Sequence, residues 1–394
     1  MRKRFALFVF CLLALCPLSA QTEIRLYQNG ADKFEALLHD MQEARHHIHC
    51  EYFIFADDSI GRRVIDLMRE KAKQGVEVRL VVDGYYDVKR HYNYASRLNR
   101  LRTEGIDIRI YQPYVFPYVH RVLRDHRKIV VIDGRIGYTG GFNVADYNIT
   151  GKEIYGGYID THVRLVGPSV EELQFLFAEH FEKCGGEAFG GDSYYPYTAA
   201  MVEGTSEDSL AQTYIVERGR QSWRKKAEMR REVIAFIDAA TDSLHIQSPY
   251  LLPTPGVRRA LRRAMKRGVQ VSVLFSEVGD TPLFDLGNVH YSHRLQKRGA
   301  RVWLFHDAFQ HSKVLTADGG RCIVGSTNLD YRAMRWNEEV AAVIADSVAT
   351  QWLDSAFANS LNHSTELTPQ YYDNLPLKRR IQGALADIFL SWCL

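Results

Sequence analysis

His126 and Lys128 stand two residues apart with Asp133 five further on, a spacing of His-x-Lys-x4-Asp. The same spacing returns as His311, Lys313 and Asp318. In a strand, side chains two apart share a face, so each His-x-Lys aims an imidazole and an ammonium into one space. The apolar runs 129–132 and 314–317 read as buried strands that anchor each pair. With 15 histidines and Lys and Asp at roughly 5% each, about 0.04 such matches are expected by chance. Two copies therefore outweigh the reading of a satisfied core histidine. Each copy also has a matching sequel, Gly140-Gly141-Phe142-Asn143 after the first and Gly325-Ser326-Thr327-Asn328 after the second.

An imidazole with a pKa of about 6.5 can stay neutral in one copy and be protonated in the other. Neighbouring charge separates such values and assigns base and acid. Two ammonium groups close together favour an anion between them, and phosphate is the natural one. The chemistry expected is in-line displacement at a phosphodiester. Neutral His126 attacks phosphorus and forms a phosphohistidine. Protonated His311 gives its proton to the leaving alcohol and later takes one from the incoming alcohol or water. Lys128, Lys313, Asn143 and Asn328 grip the non-bridging oxygens. The lysine pair supplies the positive charge, so neither metal nor cofactor is required. A histidine presenting one nitrogen needs an acceptor on the other. Asp160, 34 residues beyond His126, and Glu339, 28 beyond His311, are the candidates. Asp133 and Asp318 close the motifs at the strand ends, either as catalytic groups or as turn-holding carboxylates.

The elements that must position these groups repeat. Residues 32–45 read as a helix, 48–55 as a strand, 60–74 as an amphipathic helix, and 76–82 as a strand. A further helix reaches about residue 103, and strand 106–111 leads to the first motif. The order restarts with helix 227–240, strand 244–252, helix 256–266, strand 269–275, a helix around 291–297 and strand 300–305 before the second motif. Gly75 answers to Gly268, Gly105 to Gly299 and His126 to His311, at offsets of 193, 194 and 185. A near-constant offset means a duplicated domain. Helices alternating with strands make each half an α/β layer structure. A pseudo-twofold between the halves would set the two His-x-Lys pairs across one cleft.

The length of 394 residues suits two domains. These are read as 21–184 and 226–365, joined by the Gly-, Ser- and Tyr-rich connection 185–225 and followed by 366–394. Apolar content of 46% and charged content of 25% are those of an ordinary globular chain. A net charge of +3 gives no support to a strongly basic nucleic-acid binder, yet suits an anionic membrane surface. Residues 1–20 have a basic start, an apolar run and small residues before Gln21, the pattern of a secretion signal or a short anchor. The basic amino end implies that the rest of the chain crosses the membrane. Cys50, Cys184, Cys322 and Cys393 show no metal-ligand spacing. His46, His47 and His49 precede a strand directly and are read as structural.

The two motifs with their sequels, together with 51–55, 75–80, Asp160-Thr161-His162, Ser248-Pro249-Tyr250 and 328–339, resemble the phospholipase D superfamily, and within it bacterial cardiolipin synthases. The resemblance covers about residues 40–345. It implies two α/β/α domains with mixed sheets, one shared active site, a phosphohistidine on the amino-terminal histidine and no metal. It further implies that two phosphatidylglycerols are joined into cardiolipin with release of glycerol. The alternatives are a phospholipase D releasing phosphatidic acid or a nuclease of the superfamily, although no basic stripe tracks a phosphate backbone. The chain departs from the resemblance in carrying Tyr158-Ile159-Asp160 where the family tends to Trp-Arg-Asp, and in lacking a second amino-terminal apolar segment. No obligate protein partner is evident; the expected partners are phospholipid and a membrane surface. The loop 111–119, rich in aromatics and Pro, and the carboxyl end 377–394, basic then apolar, either meet the membrane interface or pack on the protein.

Overall fold

The structure, a computed structural model, describes residues 22–85, 100–112, 123–152, 154, 156–201, 213–219, 223–277 and 279–393. The segment 1–20 and all but the first two residues of the 111–119 loop lie outside the described residues.

Two mixed sheets carry the fold. The strands of the first are β1 (Glu23–Tyr27), β2 (His47–Tyr52), β3 (Glu77–Asp83), β4 (Ile106–Tyr111), β5 (Lys128–Ile132), β6 (Ile136–Gly140) and β8 (His162–Val166). Their order is β1-β8-β6-β5-β2-β3-β4. The strands of the second are β9 (Thr213–Arg218), β10 (Ser243–Gln247), β12 (Gln270–Ser276), β13 (Arg301–Phe305), β15 (Val314–Ala317), β16 (Arg321–Gly325), β18 (Glu339–Ile344) and β19 (Ser364–Glu366). Their order is β19-β13-β12-β10-β15-β16-β18-β9. Read from the β4 and β13 sides, the two orders match strand for strand, with β19 as an added edge. In both, three parallel strands adjoin an antiparallel meander that begins with the motif strand.

That match moves one boundary. β9 lies inside the stretch expected to connect the halves, yet it pairs with β18 as β1 pairs with β8. The second repeat therefore includes Thr213, and 226 is too late a start. The signal was hidden because β9 is only six residues long and no apolar run marks it. The helix expected around 291–297 begins earlier, at Pro282, and runs to Gln296. It is covered on more than one side, so its apolar residues make no single stripe. Strand 244–252 breaks at Ser248-Pro249 into β10 and β11 (Leu251–Leu252), and β11 pairs instead with β17 (Leu329–Asp330). Gly75 and Gly268 follow equivalent helices with φ of 89° and 94°, a left-handed conformation that glycine reaches without Cβ strain.

Val131, Val163 and Leu165 of the first sheet share one buried cluster with Val314, Cys322, Val324, Val340 and Ala342 of the second. The flanking helices Val170–Lys183 and Ser347–Leu361 add Leu173, Phe177 and Leu353 to it. The contact between halves is thus a core rather than a hinge. Cys50 and Cys322 are buried free thiols. Gly383, Ala386 and Leu390 of the last helix, Leu377–Cys393, are buried against the second half. Among the described residues no helix is long and apolar enough to cross a membrane.

Candidate active site

Each motif histidine sits just before its strand, on backbone zipped to the other half. Asp125 forms a parallel bridge with Glu338. His126 N donates to Glu338 O at 2.9 Å, and Glu338 N donates to Arg124 O at 2.8 Å. In the second half, β14 (Ala308–Gln310) pairs in parallel with β7 (Gly157–Ile159), and His311 N donates to Ile159 O at 2.7 Å. The residue after Glu338 is Glu339, and the residue after Ile159 is Asp160. The zippers therefore exchange the carboxylates. His126 Nδ1 lies 3.0 Å from Glu339 Oε2, and His311 Nδ1 lies 2.6 Å from Asp160 Oδ2. Spacing had set Asp160 beside His126 and Glu339 beside His311. Each acid instead serves the histidine of the opposite half, because a pseudo-twofold contact overrides proximity along the chain.

The glycine-rich sequels explain how the acids are held. A Cβ on Gly141 would lie 1.9 Å from Asp160 Oδ1, so only glycine leaves room for that carboxylate. At the equivalent position Ser326 donates its Oγ proton to Glu339, and Asn337 Nδ2 donates to Glu339 Oε1 at 3.0 Å. Sequence reading missed Gly141, Ser326 and Asn337 as supports. Of the two differences between the sequels, Gly141 against Ser326 and Phe142 against Thr327, the first was the available signal.

The lysines follow strand alternation. Lys128 Nζ donates to His126 O at 2.6 Å. Lys313 Nζ lies 2.5 Å from His311 Nδ1 and 3.4 Å from Asp160 Oδ2. Both lysines are buried. Burial pushes Lys128 down to about 7 and Lys313 down to about 8, partly offset by Glu339 and Asp160 respectively. Burial also lowers both histidines, with Lys313 pressing in the same direction on each; His311 falls to about 4. Lys313 acting on His126 ties the two motifs into one electrostatic site. Burial alone would raise Asp160 and Glu339, but the facing lysines and histidines hold both carboxyls below their ordinary range. Burial and the lysines thus favour the neutral form of each imidazole and the ionised form of each carboxyl. An anion between the lysines would favour a cation beside itself.

Asn143 Oδ1 accepts from Ile54 N at 3.2 Å, and its Nδ2 faces the Tyr147 hydroxyl at 3.5 Å. Asn328 Oδ1 is buried with no hydrogen-bond partner among the described residues. Phe53 packs edge-on to His126 with ring centres 5.1 Å apart, and Tyr158 lies 5.2 Å from His311.

Asp133 and Asp318 are not at the site. Five strand residues at about 3.3 Å each set Asp133 roughly 16 Å beyond Lys128. There its carboxylate accepts the backbone N–H groups of Arg45, His46 and His47 at 2.8–2.9 Å. Asp318 likewise accepts from Thr241, Asp242 and Ser243. Their φ values of 53° and 54° put both in the left-handed region that Asp tolerates. The constant spacing reflects a turn device at the far end of each motif strand.

Arg127 points to the opposite face from His126 and Lys128. It lies 2.8 Å from Glu217, 3.5 Å from Glu338 and 3.7 Å from Glu51, all buried. Glu51, Asp125 and His180 could also meet around a cation, but the guanidinium already occupies that charge-balancing place. His46, His47 and His49 pack among Gln174, Phe177 and Tyr194.

Two imidazoles in one electrostatic site, each backed by a carboxylate and flanked by a buried lysine, on a duplicated α/β fold, define a two-domain enzyme of the phospholipase D class. The family model described as cardiolipin synthase, PLD-like domain, matches residues 37–153 and again 233–361, and the chain belongs to that family. It is 30% identical to a cardiolipin synthase of Oceanobacillus iheyensis over 93% of this chain and 74% of that one. It is 32% identical to a probable cardiolipin synthase of Bacillus subtilis over 94% of this chain and 72% of that one. A solved phosphatidylserine synthase from Haemophilus influenzae shares the fold at a TM-score of 0.70 and 12% identity, covering 93% of this chain and 95% of that one.

Proposed function

We propose that this chain is a phosphatidyltransferase that forms cardiolipin from two molecules of phosphatidylglycerol. The crossed pairing of each histidine with the other half's carboxylate carries the chemistry, and the relatives' names carry the substrate. Phosphate entering between Lys128 and Lys313 favours the cationic form of His311, while His126 stays the neutral nucleophile. His126, its Nδ1 held by Glu339, attacks phosphorus through Nε2. The phosphorus–oxygen bond to the terminal glycerol breaks, and that oxygen takes the proton of His311. The free glycerol leaves. His311 then accepts the proton of a second phosphatidylglycerol's hydroxyl, whose oxygen attacks phosphorus and releases His126. Asn143 and Asn328 would hold the non-bridging oxygens. Asp160 and Glu339 are positioning residues in this scheme, and Asp133 and Asp318 are left out of it. The basic, apolar pattern of residues 1–20 supports export, with the site working at the outer surface of a membrane.

The test is purified protein with phosphatidylglycerol, and separately with phosphatidylethanolamine, followed by lipid analysis. Cardiolipin with free glycerol supports the reading. Phosphatidic acid alone makes the enzyme a hydrolase, and cleaved DNA with untouched lipid rejects both. His126→Ala and His311→Ala should each abolish turnover while leaving the fold intact.

A further inference from the structure

The last helix has one face in the protein and another in solvent, and both are informative. Gly383, Ala386, Asp387 and Leu390 are buried, and Gly383 lets the backbone approach Leu286 O and His290 Cβ. On the other side Leu377, Ile381, Leu385, Ile388 and Phe389 are 50–70% exposed. Their spacing of three and four makes one continuous apolar ridge. Lys378 and Arg379 are exposed beside it. Asp387 is the helix's one acid, and it is turned inward to Arg258 at 2.6 Å and Arg294 at 3.1 Å.

Those two arginines belong to a second feature. Arg258, Arg262, Arg294 and Arg298 line a small cavity with Tyr291 and Leu295, tied to the last helix through Asp387. Helix Pro255–Arg267, which supplies the first two, also carries Arg259, Arg263, Lys266 and Arg267 and no acid. Arg259, Arg262 and Lys266 are exposed.

We infer that this ridge and its arginine flank form a docking surface for an anionic phospholipid bilayer. The ridge enters the acyl boundary, and the arginines meet phosphates at headgroup depth. A second copy of the chain is a poorer occupant, because self-contact would press two positively charged surfaces together. The helix Pro282–Gln296 joins this surface to the chemistry. Its side facing the last helix carries Leu286 and His290, while Phe284 near its start packs on Tyr250 with ring centres 4.5 Å apart. Tyr250 hydrogen-bonds to Asp280, whose charge acts on His311. The last helix therefore lies between a bilayer on the ridge and the element that reaches the site.

The binding surface stands whether or not the reaction assigned above is right, and the test keeps them apart. Full-length protein is floated with vesicles of phosphatidylcholine, alone or with a minor fraction of phosphatidylglycerol, at rising salt. Wild type should favour the anionic vesicles and lose them as salt rises. Ile381→Asp with Ile388→Asp, and Lys378→Glu with Arg379→Glu, should each weaken partition by about tenfold or more. Ile388→Trp should retain it. Matching circular dichroism and melting curves show that these exposed substitutions leave the fold intact. His126→Ala protein should float like wild type, and wild-type protein that floats on anionic vesicles yet makes no cardiolipin tells against the catalytic reading alone. Variants that float like wild type, or equal partition to neutral and anionic vesicles, overturn the inference. So does a wild-type dimer that the Ile381/Ile388 variant converts to monomer without change in flotation.

Discussion

The exchange of carboxylates between halves makes a prediction that chain-local pairing does not. Glu339→Gln keeps size and shape but removes the anion 3.0 Å from His126 Nδ1. A hydrogen bond to a charged group contributes about 1.5–3 kcal/mol, and His126 carries positive charge once its other nitrogen is phosphorylated. At about 1.4 kcal/mol per tenfold in rate, phosphorylation should slow by roughly 10- to 150-fold. Asp160→Asn makes the equivalent change at His311, whose proposed task is proton transfer to the leaving group. With an activated aryl phosphodiester the leaving oxygen needs no proton. The assay is rapid-quench labelling of the His126 peptide, read by mass spectrometry. Glu339→Gln should slow labelling by the stated factor, and Asp160→Asn should leave it near wild type. With phosphatidylglycerol both variants should be slow. If Asp160→Asn slows aryl-ester labelling and Glu339→Gln does not, the crossed assignment is wrong.

Gly141→Ala places a methyl where Asp160 Oδ1 lies; turnover should fall at least to the Asp160→Asn level with a similar pH profile, and a near-normal rate would contradict the packing. Asp133→Ala should cost roughly 1–3 kcal/mol in urea unfolding through lost backbone acceptors, with turnover per folded molecule unchanged and Asp133→Asn milder. A large fall in turnover at unchanged stability would return Asp133 to the chemistry. His311 is pushed down to about 4 in the fold and is ordinary, about 6.5, when unfolded. The unfolded chain therefore binds the proton first, so this contribution is fully present above about pH 6.5 and lost as pH falls toward 4. It is on the order of 3 kcal/mol, and His311→Ala should flatten that part of the stability–pH curve. An unchanged slope in the variant would refute the buried neutral imidazole.

Much of the site was legible because strand alternation and buried apolar runs are local rules. His126 with Lys128, His311 with Lys313, the two acids that meet the histidines and the duplication itself show in residue types and spacing. So does the α/β layering, since each strand and helix shows its period within a few residues. Three matters were decided only by the tertiary structure. Which acid serves which histidine depends on the parallel zippers at Glu338 and Ile159, formed only when the halves dock about a pseudo-twofold. Asp133 and Asp318 share the motif's regularity yet leave the site, because the rise of an extended strand carries them to its far end. The last helix turns Asp387 inward and five apolar side chains outward, an arrangement that its neighbours Arg258 and Arg294 impose. Contacts between distant segments, unlike periodicity along one, are set by how surfaces meet, and no spacing in the chain records that.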